Sequence, residues 1–294
     1  MNIMTNEKFN IYEEITDRII EQLENGVVPW HKPWSGVTNG AYNRVSKKPY
    51  SLLNQMLLKH DGEYATYKQW SELGGKIKKG EKSEIVVFWK ILNVEETKDG
   101  KVEHKSIPLL KYINVFHVSQ VEGVEPKTIK LIEHNSVEEA EQIKSGYVDR
   151  ENVTIKELVT DRAFYSPSKD FIQVPCKEQY KDLMEFYSTL FHEMVHSTGH
   201  RDRLGRLDCT VQFASFGSED YSKEELIAEI GSAFLMNHIG IETVKTFNNS
   251  AAYIQSWLSV LKGDNRFIVS ASSKAEKAMK YILGIKTDNE IVTV

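Results

Sequence analysis

Cysteine is almost missing from this chain: Cys176 and Cys209 are the only two among 294 residues, and they form no Cys-x-x-Cys pair. A disulfide-stapled scaffold is therefore not needed, and two reduced thiols in a cytoplasmic protein are expected. The opening Met1 to Lys8 lacks an apolar stretch followed by small residues, so no secretory leader is expected. No uninterrupted apolar run approaches bilayer thickness, which argues against a membrane partner. Internal repeats and low-complexity tracts are lacking too, which sets solenoids and fibrous architectures aside. Nor is basic charge in excess. The formal net charge is −5 and the pI is near 6.0, so the surface as a whole is no nucleic-acid footprint. Residues 1–130 nevertheless carry 19 Lys and Arg against 17 Asp and Glu, and the remainder 18 against 25. A local basic patch in the first half stays open.

Periodicity points to an α+β protein of two domains, residues 1–125 and 126–294, parted by a polar stretch around Gly123 and Pro126. Ile11, Ile15, Ile19 and Leu23 recur every four residues as one helical stripe, and Asn25-Gly26 supplies its stop. Ser51 caps a short helix through Leu58, and Thr66 with Gln69 forms a capping box ahead of Gly74-Gly75. Ile85 to Trp89 and Tyr112 to Val118 read as strands of a hairpin turning at Asp99-Gly100. In the second half Phe164 to Pro167 and Phe171 to Pro175 read as strands. Helices are expected over 178–198, from Ser222 onward, over 251–261 and over 273–283.

The chemistry concentrates in His192-Glu193-Met194-Val195-His196. Residues i and i+4 share a helix face, so His192 and His196 can aim imidazole nitrogens at one ion. Glu193 is placed to take a proton from water at that ion as general base. The expected ion is a single Zn2+, and Mn2+ or another divalent ion suits the same donors. A third ligand is needed, and three candidates stand. Glu225 and Glu229 lie one turn apart in Glu-x-x-x-Glu, resembling the gluzincin arrangement in which the first binds zinc and the second accepts a hydrogen bond from a liganding imidazole. Ser222 to Glu225 is also a capping box, which would free Glu225 from ligand duty and promote Glu229. Asp202 completes a metzincin-like spacing after His196. His200 reads as a loop residue, Tyr221 as an oxyanion donor or an ordinary loop tyrosine. Phe171 to Val174 is the candidate edge strand for an extended peptide.

The first half interleaves aromatic and cationic side chains, the mixture that stacks on bases and follows phosphates of single-stranded nucleic acid. Trp30, Lys32 and Trp34 are followed by Arg44, Lys47, Lys48 and Tyr50, then Tyr67, Lys68 and Trp70, then Lys78 and Lys79. The ordinary alternative is a buried tryptophan core with a solvated lysine turn.

Taken together these marks resemble the ArdC-type antirestriction proteins carried by conjugative plasmids and related mobile elements. The marks are Val28-Pro29-Trp30-His31-Lys32-Pro33-Trp34, Asn43-Arg44 with Pro49-Tyr50, Tyr67-Lys68-Gln69-Trp70, and Val115-Phe116 before Gln120. In the second half they are Phe164-Tyr165 with Asp170 and Pro175, His192 to His200, Glu224 to Glu229, and Ser256-Trp257-Leu258. The resemblance implies an N-terminal domain binding single-stranded DNA, a zincin-like metallopeptidase domain, and protection of incoming plasmid DNA from restriction. Members carry Ser-Arg-Leu soon after the second histidine where this chain has Arg201-Asp202-Arg203-Leu204. That departure weakens Asp202 as a ligand. Two other readings stay open: a peptidase whose first domain docks a protein or peptide substrate, and a zinc site that is structural.

Overall fold

The computed structural model describes residues 9–31, 40–98, 101–127, 135–207, 219–241 and 251–286. Helix α1 spans Ile11–Glu24, capped by the Asn10 side chain, which accepts from the Tyr12 amide. Its stripe is the expected one: Ile15, Ile19 and Leu23 are buried. A 3-10 turn over Pro29–His31 follows, then strand β1 (Ala41–Asn43), helix α2 (Leu52–Leu57), strand β2 (Gly62–Ala65) and helix α3 (Tyr67–Glu72). The Thr66 and Gln69 capping box forms in both directions. Short β3 (Lys76–Ile77) pairs with β6 (Val121–Glu122).

Strands β4 (Glu84–Lys98) and β5 (Lys101–His117) are far longer than expected and stay antiparallel from Glu84↔Val115 to Lys98↔Lys101. The turn at Asp99-Gly100 lies outside the described residues. The sheet runs β1-β2-β5-β4, with β1 parallel to β2. Helix α2 ties both edges of that sheet. The Asn54 side chain accepts from the Val87 amide (2.7 Å) and donates to its carbonyl (2.8 Å). Gln55 makes the same pair of bonds with Ala41 on β1, each 2.8 Å. Two buried amides thus stand in for missing ladder partners, and neither polar group is left unsatisfied.

The second half begins with α4 (Ser136–Glu151) and β7 (Thr154–Leu158), neither of which carries a clear apolar period. Helix α4 buries only Ala140 and Tyr147. Strands β8 (Phe164–Ser166) and β9 (Phe171–Pro175) complete a sheet of order β7-β9-β8. Four helices close the fold: α5 (Leu183–Ser197), α6 (Glu219–His238), α7 (Ala251–Gly263) and α8 (Phe267–Ile282). Helix α5 starts at Leu183 because Asp182 caps it by accepting from the Met184 amide, and Lys177–Gln179 form a separate 3-10 turn. Helix α8 starts six residues before Ser273, since Phe267, Ile268, Val269 and Ala271 are buried along it.

One core spans both halves of the sequence. Ile15, Ile19, Trp30 and Met56 pack in the same cluster as Leu190, Met194, Leu226, Trp257 and Ile268. Polar bonds cross as well: Thr16 donates to the Asn265 carbonyl (2.7 Å), and Glu276 accepts from the Leu52 amide at the start of α2 (3.1 Å). No described helix is long and apolar enough to cross a membrane.

Candidate metal centre

The geometry of the centre follows from how α5 meets α6. Phe186, Leu190, Phe191, Met194 and Val195 bury one side of α5, which leaves His192 and His196 facing α6 one turn apart. Helix α6 is apolar on most sides, with Leu226, Ile227, Ala228, Ile230 and Leu235 buried. Gly231 lets the two helices approach. A methyl group there would lie 2.9 Å from Val195 Cγ2. This close crossing brings the carboxylates of Glu225 and Glu229 onto the histidines.

His192 Nε2 and His196 Nε2 are 3.1 Å apart. The two Glu225 oxygens lie one on each ring: Oε2 is 3.4 Å from His192 Nε2 and Oε1 is 3.4 Å from His196 Nε2. Donors about 2.0 to 2.2 Å from a tetrahedral ion stand roughly 3.3 Å from one another, and the 3.1 and 3.4 Å spacings of these nitrogens and carboxylate oxygens are of that size. Among the described residues these three are the group able to hold an ion, their donor atoms lying within 4.8 Å of each other. Imidazole with carboxylate suits a divalent cation.

Charge within the centre is strongly coupled. Burial opposes ionisation of His196, but Glu224 and Glu225 override it and hold the ring well above its ordinary range. Burial would raise Glu225, yet the two imidazoles hold it well below the usual carboxylate range. Glu193, 7% exposed, is pushed up by burial against the opposing pull of the histidines. Glu229 is also pushed up by burial. Its Oε1 is 3.6 Å from His192 Nδ1, the nitrogen turned away from Glu225.

Three contributors escape the sequence pattern. Glu224 accepts at 3.2 Å from His196 Nδ1, so each histidine has its own carboxylate behind it. Arg206 clamps Glu224 in turn, its Nε 3.1 Å from both carboxylate oxygens, and donates to the Val195 carbonyl and to Thr198 Oγ1. His31, from the first half, lies 3.8 Å from Glu229 through its Nε2. The adjacency of Glu224 to Glu225 hints at the first; nothing in the spacing marks Arg206 or His31.

Several expectations are corrected. Ser222 does not cap α6, which begins at Glu219; its hydroxyl instead shares a 2.7 Å hydrogen bond with Ser256. Glu225 is thereby free of the capping box. Asp202 sits on the exposed turn after α5, its carboxylate 3.6 Å from His200 Nδ1 and outside the ion-holding group. Tyr221 lies on α6, one turn ahead of Glu225. Strand β9 is the middle of its sheet, paired on both sides, so Phe171 to Val174 offers no open edge. Among the described residues the two edges of this sheet are β7 and β8, and it is at β8 that the Tyr165 backbone lies beside Glu193.

The aromatic and basic residues of the first half are also divided. Trp30 is fully buried and meets Trp257 edge-on at 5.2 Å, and Trp70 is fully buried with its Nε1 donating to the Phe116 carbonyl. Neither has a face for stacking on a base. Tyr50 is half-buried against Tyr64. Arg44 is committed to an ion pair with buried Glu63. Tyr67 is 65% exposed; Lys47, Lys48, Lys68, Lys78 and Lys79 are exposed around it in sequence. Lys68 pairs loosely with Glu72 (3.8 Å), and Lys78 donates to the Ser119 carbonyl (2.7 Å). Lys32 and Trp34 lie outside the described residues. Among those described, Trp89 on β4 is the one exposed tryptophan, at 38%.

Comparison with known proteins places both halves. Residues 9–116 match the N-terminal domain of anti-restriction factor ArdC, and residues 140–274 match the zincin-like metallopeptidase family. Two crystal structures of the antirestriction ArdC protein from plasmid R388 are similar to the chain at 32% identity. The metal-free one has a TM-score of 0.73 over 94% of this chain and 98% of that one. The Mn(II)-bound one has a TM-score of 0.75 over 96% and 100%. An uncharacterized protein, y4eC, of Sinorhizobium fredii is 30% identical across 95% of this chain and 93% of its own length. Two Escherichia coli proteins named DNA primase TraC are each 33% identical across 96% and 94% of this chain, which spans only 28% and 20% of their lengths. The chain belongs to the ArdC-type antirestriction family, with a zincin-like metallopeptidase domain in its second half.

Proposed function

We propose that this protein acts in the cytoplasm as an antirestriction factor that binds single-stranded DNA through its first half and carries a zinc-dependent peptidase centre in its second. The observation that carries the peptidase reading is the His192, His196 and Glu225 triangle, with its 3.1 and 3.4 Å edges and the buried Glu193 next to it in sequence. These three residues hold the ion, and Glu229 and Glu224 keep the two rings in the tautomer and orientation that leave Nε2 free to bind. A divalent ion bound there supplies Lewis acidity, polarising a carbonyl and lowering the pKa of water to about 7. Glu193 takes the proton released as water attacks and returns it to the leaving nitrogen. Its raised proton affinity suits both steps. An extended peptide substrate adds along the open edge of β8, past Glu193.

The DNA reading rests on family membership and on Tyr67 among exposed lysines. The burial of Trp30 and Trp70 favours a rival for this half, in which it docks a protein substrate or partner. We place a domain boundary near residue 126, in the polar segment that lies between the two family matches.

Elemental analysis of the purified chain is expected to find one equivalent of zinc, and Glu193→Gln is expected to keep the ion while losing cleavage of an unstructured protein. An ion that only raises the melting temperature, with no cleavage by the wild-type chain, would make the site structural. Fluorescence anisotropy with a single-stranded oligonucleotide is expected to show binding that falls steeply with salt and depends little on base sequence. No binding at low salt would leave the docking rival.

A further inference from the structure

The 3-10 turn Pro29–His31 belongs to the first half of the chain yet is built into the second. Trp30 anchors it against Trp257 on α7, and the His31 amide closes the turn on the Val28 carbonyl at 3.0 Å. The buried His31 side chain is thereby held against α6, its Nε2 3.8 Å from Glu229 Oε2. The other oxygen of the same carboxylate, Oε1, is 3.6 Å from His192 Nδ1. One carboxylate therefore stands between a histidine of each half.

We propose that His31 is a positioning residue of the metal centre: it steadies Glu229, which in turn orients the His192 ring, so that ion affinity is set by both halves of the protein together. A carboxylate largely shut away from water needs donors on its oxygens, and each oxygen of Glu229 has a ring nitrogen facing it. His192 uses Nε2 toward Glu225 and the ion position, which leaves Nδ1–H to donate to Glu229. His31 Nε2 faces the second oxygen at 3.8 Å, and the proposed role requires that distance to close to about 3 Å when the ion binds. Burial pushes His31 down to about 3, so it serves as a neutral N–H donor and adds no charge to compete with the ion.

The proposal rests on the metal-centre reading above, and titration of the metal-free chain with Mn2+ separates the two. Wild-type protein that takes up no Mn2+ would sink both. Given wild-type binding, His31→Leu is expected to raise the Kd for Mn2+ by about 10- to 100-fold, as loss of an outer hydrogen-bond partner does elsewhere. His31→Gln, which keeps a donor at the same reach, is expected to recover most of that loss. In a Glu229→Ala background His31→Leu is expected to change the Kd no further. An unchanged Kd in His31→Leu, or equal losses in the Leu and Gln variants, would overturn the role and leave His31 as packing only. The Glu229→Ala comparison remains decisive even if His31→Leu lowers the melting temperature of the metal-free form.

Discussion

Gly231 on α6 faces Val195 on α5 at a point where a methyl group would lie 2.9 Å from one valine methyl and 3.1 Å from the other. Val195 directly precedes His196, so this contact sets how far the carboxylates of α6 stand from the imidazoles of α5. Gly231→Ala gains helix propensity of up to about 1 kcal/mol but overpacks the crossing at a cost of about 1–3 kcal/mol. The expected outcome is a lower melting temperature together with weaker Mn2+ or Zn2+ binding by calorimetry. Unchanged affinity would mean the helices separate without disturbing the centre.

Glu224 and Arg206 allow orientation and stability to be told apart. Glu224→Gln keeps the shape and an acceptor for His196 but removes the charge, and a loss of about 10- to 100-fold in ion affinity is expected. Arg206→Met strands the Glu224 carboxylate in a largely buried position, and breaking such a pair costs about 3–5 kcal/mol. Denaturant unfolding should therefore single out the arginine variant, and ion titration the glutamine one.

Trp30 and Tyr67 should behave in opposite ways. Trp30→Ala removes a fully buried ring and is expected to destabilise by about 3–5 kcal/mol. Tyr67→Ala is expected to leave stability within about 0.5 kcal/mol, while weakening oligonucleotide binding by about 1–3 kcal/mol if the ring stacks on a base. Anisotropy and thermal melting on the two variants check both halves of this expectation.

Acid should loosen the tie between the β8–β9 turn and the turn that follows α5. Burial alone would raise Asp170, but hydrogen bonds from Arg203 at 2.8 and 2.7 Å and from Tyr165 at 2.8 Å hold its carboxyl below the ordinary range. A carboxylate depressed in the folded state contributes stability above its unfolded pKa of about 3.9. That contribution is lost as pH falls through the lower folded value. Asp170→Asn should thus be less stable than wild type at pH 7, and the gap should narrow below about pH 4 in urea titrations at each pH.

Legibility followed locality. The stripe of α1, the caps at Ser51 and Thr66, and the pairing of His192 with His196 are short-range patterns, and each appears as expected. Ser222 misled because Ser-x-x-Glu has the same spacing inside a helix as at its start, and α6 already runs through Ser222 from Glu219. Trp30 misled for a different reason. Burial of a tryptophan depends on a surface supplied far away in the chain, here Trp257. Likewise β9 and β8 look alike in sequence, and only the parallel pairing of β9 with β7 puts β9 in the middle of the sheet and β8 at an edge.

The sequence by itself determined the donor types and their helical spacing: two imidazoles one turn apart, a carboxylate between them, and a pair of glutamates one turn apart on a later helix. Those are properties of backbone geometry within single elements. Which glutamate meets which ring, that Arg206 and Glu224 stand behind His196, and that His31 of the first half reaches Glu229 were decided only by tertiary structure. Such contacts depend on how closely helices cross and on what fills the space between them, and no local pattern encodes a distance between two separate elements.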